Sequence, residues 1–122
     1  MLSALSQIET KAPAASLGLK ILAGPFAGQE FDLTAAPVHI GRDPGQCQLV
    51  IPSSYPGISK LHCRASLSPQ KDSVTIEDCG SSNGTYLDSG QPILSGSPSQ
   101  LKLGDRFYLN DRDVMFEVCV DP

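Results

Sequence analysis

The sequence predicts an all-β sandwich of about ten to eleven strands, with a binding site carried on loops at one end. Three observations predict it. Apolar residues fall in short runs that alternate with polar ones, the two-residue period of a strand. Eleven Gly and ten Pro interrupt the 122 residues at short intervals. Helix-period segments are scarce, and Trp is absent.

The elements follow in order. Residues 1–16 are small, polar and Pro/Ala-rich and read as a flexible tail or linker, with at most a short amphipathic helix around Leu2–Ile8. Residues 17–120 read as one domain. Leu17–Ala23 alternates Leu17, Leu19 and Ile21 against smaller neighbours until Gly24-Pro25 ends it. Gln29–Leu33 returns as the second arm of a hairpin. Val38–Ile40 runs into Gly41-Arg42, and Cys47–Ile51 is stopped by Pro52. Residues 52–58 form an irregular loop. Leu61–Leu67 sets Leu61, Cys63, Ala65 and Leu67 on one face, with His62, Arg64 and Ser66 on the other. Ser73–Asp78 follows, then a loop over Gly80–Gly84. Thr85–Leu87, Gln91–Leu94, Leu101–Leu103, Arg106–Leu109 and Val114–Val120 complete the set. Residues 91–100 are longer than a minimal turn requires.

Bulk composition narrows the function. Net charge is −4, with no basic run and no aromatic–basic interleaving, which argues against nucleic acid. An acidic chain still binds an anion where a few cations are focused, and Arg42, Lys60 and Arg64 are the candidates. Cys47, Cys63, Cys79 and Cys119 form no C-x-x-C pair, so a zinc site is not expected. Cys47, Cys63 and Cys119 lie in apolar stretches and read as buried reduced thiols. No run reaches the roughly 18–20 apolar residues of a membrane span, and no signal peptide is evident, so the expected home is cytoplasmic. The chain is also readable as part of a larger polypeptide.

Four segments carry the chemistry: Gly41-Arg42, Ser59-Lys60-Leu61-His62, Asp78 and Ser82-Asn83-Gly84-Thr85. All lie at strand ends or in loops, where a sandwich gathers its functional residues. A guanidinium, an ammonium, hydroxyls and a carboxamide form a donor-rich set suited to a phosphate dianion. Alone, each has a plainer reading. Gly41-Arg42 is a strand end beside a surface charge, Ser59 a turn serine, Lys60 a solvated cation, and Asn83-Gly84 a turn signal.

In this order and spacing, with Gly104-Asp105 following, the segments resemble the forkhead-associated (FHA) domain. The first hairpin, Gly24-Pro25-Phe26-Ala27-Gly28 with Phe31 and Leu33, is similar to that of bacterial members. The resemblance implies an FHA/SMAD-like sandwich that binds phosphothreonine in a partner protein and couples Ser/Thr kinase signalling to a target. It implies phosphate contacts from Arg42, Ser59, Lys60 and Ser82, and a grip on the peptide backbone from Asn83. Gly41, His62, Asp78, Gly84 and Thr85 would support the site. No metal, cofactor or catalysis is expected. The runner-up is a scaffold of the same fold binding an unphosphorylated protein through a sheet face.

Gly80-Ser81-Ser82-Asn83-Gly84 matches G-x-S-x-G, and His62 and Asp78 would complete a triad. A hydrolase elbow needs a strand before the serine and a helix after it, and its acid and histidine follow the serine in sequence. Neither condition is met. Thr10, if phosphorylated, could fold the tail back into the pocket at high effective concentration.

Overall fold

A computed structural model describes residues 16–120, so the tail reading, the helix around Leu2–Ile8 and Thr10 lie outside the described residues. Among the described residues there are eleven strands and no helix. They are β1 Leu17–Ala23, β2 Glu30–Asp32, β3 Val38–Gly41, β4 Leu49–Val50, β5 Cys63–Leu67, β6 Val74–Asp78, β7 Thr85–Leu87, β8 Pro92–Ile93, β9 Ser99–Leu101, β10 Arg106–Leu109 and β11 Val114–Val120.

The strands form two sheets, as the alternating pattern predicts. A five-stranded sheet has the order β9-β6-β5-β3-β4, and a six-stranded sheet the order β2-β1-β11-β10-β7-β8. All pairings are antiparallel except β3 with β4, which run parallel. The core lies between the sheets. Leu19 and Ile21 from β1, Phe116 and Val118 from β11, Ala65 from β5 and Ile76 from β6 are all buried in it. Phe107 stacks on Phe116 with centroids 4.8 Å apart, and Phe31 meets Phe116 edge-on at 6.4 Å.

Strand direction sorts the loops. The 24–29, 42–48, 51–62, 79–84 and 110–113 connections gather at one end. The 33–37, 68–73, 88–91 and 102–105 turns lie at the other, where Leu17 of β1 pairs with Val120 of β11. Residues 94–98 carry the chain from β8 in one sheet to β9 in the other, which explains the length of this connection.

Three sequence expectations are corrected. The strand expected over Cys47–Ile51 shortens to Leu49–Val50, because Asp43 first closes a turn. Its carboxylate accepts from Gly45 N at 2.9 Å and Gln46 Nε2 at 2.7 Å, and its carbonyl accepts from Cys47 N at 2.9 Å. The strand expected over Leu101–Leu103 shifts to Ser99–Leu101. Lys102 N donates to Asp105 Oδ2, Asp105 N donates to Lys102 O, and Leu103 is left 58% exposed. Cys119 is half-buried rather than buried, since it alternates with the inward Val118, and its Sγ lies 3.8 Å from Glu30 Oε1. Cys47 and Cys63 are buried thiols, and burial pushes both above the ordinary thiol range.

Candidate functional site

The site is assembled on the main chain of Gly57, Ile58 and Ser59. Arg42 follows the end of β3. Its backbone N–H donates to Ser59 O at 3.1 Å, and its Nε–H donates to Ile58 O at 2.5 Å. From the other sheet's side, Ser82 N donates to Ser59 Oγ at 3.0 Å, and Asn83 Nδ2 donates to Gly57 O at 2.8 Å. Three connections therefore meet on three consecutive residues.

Gly41 permits the first of these contacts. A Cβ there would lie 2.3 Å from Lys60 O and 2.9 Å from Ser59 O, so only glycine lets β3 approach this loop.

His62 ties the two loops from beneath. Sequence alternation placed it outward with Arg64, whereas it is fully buried. The ordered part of β5 begins only at Cys63, so the face alternation does not extend back to residue 62. Its Nδ1 accepts from Ser59 N at 3.0 Å, which fixes the proton on Nε2, and Nε2–H donates to Gly84 O at 2.8 Å. Burial holds the ring below its usual pKa of 6.5, with the Gly84 contact and Asp78 opposing more weakly. Both nitrogens are engaged, so His62, Asp78 and Ser82 form no catalytic triad.

Asp78, buried at the end of β6, organises the 79–84 loop. Oδ2 accepts from Gly80 N at 2.9 Å and Ser81 N at 3.0 Å, while Oδ1 accepts from Ser81 Oγ at 2.5 Å and Thr85 Oγ1 at 2.8 Å. Thr85 is fully buried. Ser81 Oγ also accepts from Gly84 N at 2.9 Å. Gly84 itself has φ +90°. Sequence reading singled out Asp78 but missed Ser81, and the Asp-x-x-Ser spacing was the available signal. It also missed Tyr86, whose hydroxyl donates to Asn83 O at 2.8 Å.

The unspent hydrogen-bonding groups define what the site can hold. Among the described residues, Arg42's two terminal amino groups meet no acceptor, and the Ser59 hydroxyl proton and the Lys60 ammonium meet none either. Asn83 keeps its Oδ1 and one N–H. Lys60 is exposed. Its carbonyl accepts from Asp43 N at 3.0 Å and Cys47 Sγ at 3.2 Å, and its charge helps hold the Asp43 carboxylate below the usual range, after Gln46 and Gly45. Ser82 is exposed beside Ser59. Arg64 does not join them: its Nη2 pairs with Glu77 Oε1 at 2.6 Å on the outer face of the sheet.

No group of three or more His, Cys, Asp or Glu among the described residues could hold a metal ion. No helix among them is long and apolar enough to cross a membrane. A concavity of about 510 Å³ lies at the far end, between Leu87, Asp105 and Arg106, away from the loops described above. In the donor-rich site Lys60, Ser82 and Asn83 are exposed and Arg42 and Ser59 half-buried, which suits an extended chain better than an enclosed small molecule.

Comparison with known proteins agrees with the fold. A profile of the FHA domain matches residues 38–110. The chain is similar to the FHA domain of the CT664 protein from Chlamydia trachomatis, at 29% identity and a TM-score of 0.72, covering 87% of this chain and 98% of that one. It is similar to the MEK1 FHA domain solved with a HOP1 pThr318 peptide, at 25% identity and a TM-score of 0.68, covering 89% and 100%. Protein FraH of Nostoc sp. is 40% identical over 58 residues, 48% of this chain, and the match spans only 19% of that protein's length.

Proposed function

The chain belongs to the FHA domain family, and from that premise we propose that residues 17–120 dock a threonine-phosphorylated partner protein. The observation that carries the reading is the convergence of Arg42, Ser82 and Asn83 on Gly57–Ser59, with the remaining donors of Arg42, Ser59 and Asn83 unspent.

A phosphothreonine carries roughly −1.5 to −2 charge and three acceptor oxygens. The terminal nitrogens of Arg42 can meet two of those oxygens as a fork. The Ser59 hydroxyl, the Lys60 ammonium and the Ser82 hydroxyl supply further donors. Each charge-assisted bond is worth about 1.5–3 kcal/mol, so two or three of them supply about 3–9 kcal/mol before ordering costs, and main-chain bonds to the partner add to that sum. Asn83 presents one acceptor and one donor side by side, the complement of a peptide unit, and so holds the partner's main chain. Gly41, His62, Asp78, Gly84 and Thr85 hold these groups in place and touch no ligand.

The role is recognition without turnover, linking a Ser/Thr kinase to a target or assembly. Thiols packed at Cys47 and Cys63 suit a reducing cytoplasmic setting. The alternative, a scaffold binding an unphosphorylated partner through a sheet face, leaves the unspent donors of Arg42, Ser59 and Lys60 without purpose. An oriented peptide library tests the choice, run with phosphothreonine, phosphoserine and unmodified threonine at the fixed position. Selective retention of the phosphothreonine pool is expected. Equal retention of the unmodified pool would overturn the reading.

A further inference from the structure

Asn83 is held at two points. Its carboxamide donates to Gly57 O at 2.8 Å, and its main-chain carbonyl accepts from the Tyr86 hydroxyl at 2.8 Å. The second contact belongs to an ordered stack on the outer face of the six-stranded sheet. Tyr86 and Tyr108 are direct cross-strand partners on β7 and β10, with ring centroids 5.3 Å apart and planes inclined by 25°. The guanidinium of Arg112 lies 4.3 Å from the Tyr108 ring centroid, and its Nη1 is 3.5 Å from Asp88 Oδ1.

The chain around Asn83 is shaped to fit this ring. A Cβ at Gly84 would lie 2.5 Å from the Tyr86 hydroxyl, so the glycine leaves room for the phenol to reach back over the turn. Without the phenol, the Asn83 carbonyl faces water and its peptide plane is held only through the Gly84 N–H, which donates to Ser81 Oγ at 2.9 Å, so it can tilt about that one anchor. The carboxamide then moves with it, because one Cα links the two.

We propose that Tyr86, steadied by Tyr108 and Arg112, is a positioning residue for partner recognition: its hydroxyl fixes the Asn83 peptide plane and thereby aims the Asn83 carboxamide at the partner's main chain. The proposal rests on the phosphothreonine reading above. Tyr86 touches neither the phosphate nor the partner. Its hydroxyl acts only through Asn83.

The test is a double-mutant cycle on the whole chain, with affinity for a phosphothreonine peptide measured by calorimetry. Tyr86→Phe keeps the ring and its stacking and removes only the oxygen. It is expected to weaken the peptide by about fivefold, the worth of one neutral hydrogen bond. In an Asn83→Ala background the same change is expected to weaken it no further. Amide hydrogen exchange at Asn83 and Gly84 in the unliganded protein is expected to speed up in the phenylalanine variant. Wild-type affinity in Tyr86→Phe, or a fivefold loss that persists without the Asn83 side chain, would overturn the positioning role alone. A wild-type chain that ignores the phosphopeptide would overturn the phosphothreonine reading itself.

Discussion

Asp78→Asn isolates the electrostatic anchor of the 79–84 loop while keeping its volume. The carboxylate accepts four hydrogen bonds, two from N–H groups and two from hydroxyls. An amide cannot accept at both ends. Its oxygen will stay with Gly80 N and Ser81 N, because those donors cannot rotate away. Its NH2 then faces Ser81 Oγ and Thr85 Oγ1, which must turn to accept. Ser81 Oγ already accepts from Gly84 N, and the displaced proton of buried Thr85 turns to the neighbouring sulfur of Cys63, a weak acceptor. The two N–H bonds lose about 1 kcal/mol each on changing from a charged to a neutral acceptor, and the poorly placed hydroxyl adds about 1–2 kcal/mol. The expected loss is about 3 kcal/mol, a large share of the roughly 5–15 kcal/mol that holds a domain folded. At about 4 °C per kcal/mol for a domain of this size, the melting temperature should fall by about 12 °C. Calorimetric and urea unfolding measure the loss, and phosphopeptide titration should show weaker binding because Ser82 and Asn83 ride on this loop. A variant within about 0.5 kcal/mol of wild type, the usual range for a surface change, would refute the anchor argument.

Three other perturbations have defined outcomes. Arg42→Ala should weaken a phosphothreonine peptide by about 10- to 100-fold and Lys60→Ala by only a few-fold, since the guanidinium binds as a fork and the ammonium as a point charge; equal losses in a titration would contradict that ranking. Gly41→Ala should cost about 1–3 kcal/mol in urea unfolding and weaken the peptide as well, because the added methyl meets the main chain of Ser59 and Lys60; an unchanged midpoint would show that β3 moves freely against the loop. Burial lowers the His62 pKa below 6.5, so the unfolded chain takes up the proton first. The His62 contribution is therefore intact above about pH 6.5 and is lost as pH falls towards the folded pKa. His62→Gln should flatten that slope in urea midpoints taken between pH 7 and 5, and identical slopes would remove His62 as the cause.

Regular parts of this fold are legible because their cause is local. Leu17–Ala23, Thr85–Leu87, Arg106–Leu109 and Val114–Val120 stand where alternation and turn residues put them. Errors arise where a side chain competes with the ladder. Asp43 and Asp105 each close a turn on their own carboxylate and shorten or shift a strand. His62 is read outward by alternation and lies inward, because its ring bridges two loops far apart in sequence. The spacing of Gly41-Arg42, Ser59 and Asn83 shows which residues belong together. It does not show that their meeting point is the backbone of Gly57–Ser59, which side-chain identity does not encode. Tyr86 reads from sequence as an ordinary strand aromatic, and only its reach to Asn83 O distinguishes it.

The pairing of Leu17 with Val120 sets the geometry of any fusion. Both tethers leave from neighbouring positions at the pole farthest from Arg42, separated from it by the roughly 20 Å length of a seven-residue strand. Polypeptide fused at either position would be attached at the pole away from Arg42. The unit can thus be spliced between other segments, its two attachment points lying side by side like the ends of a clasp.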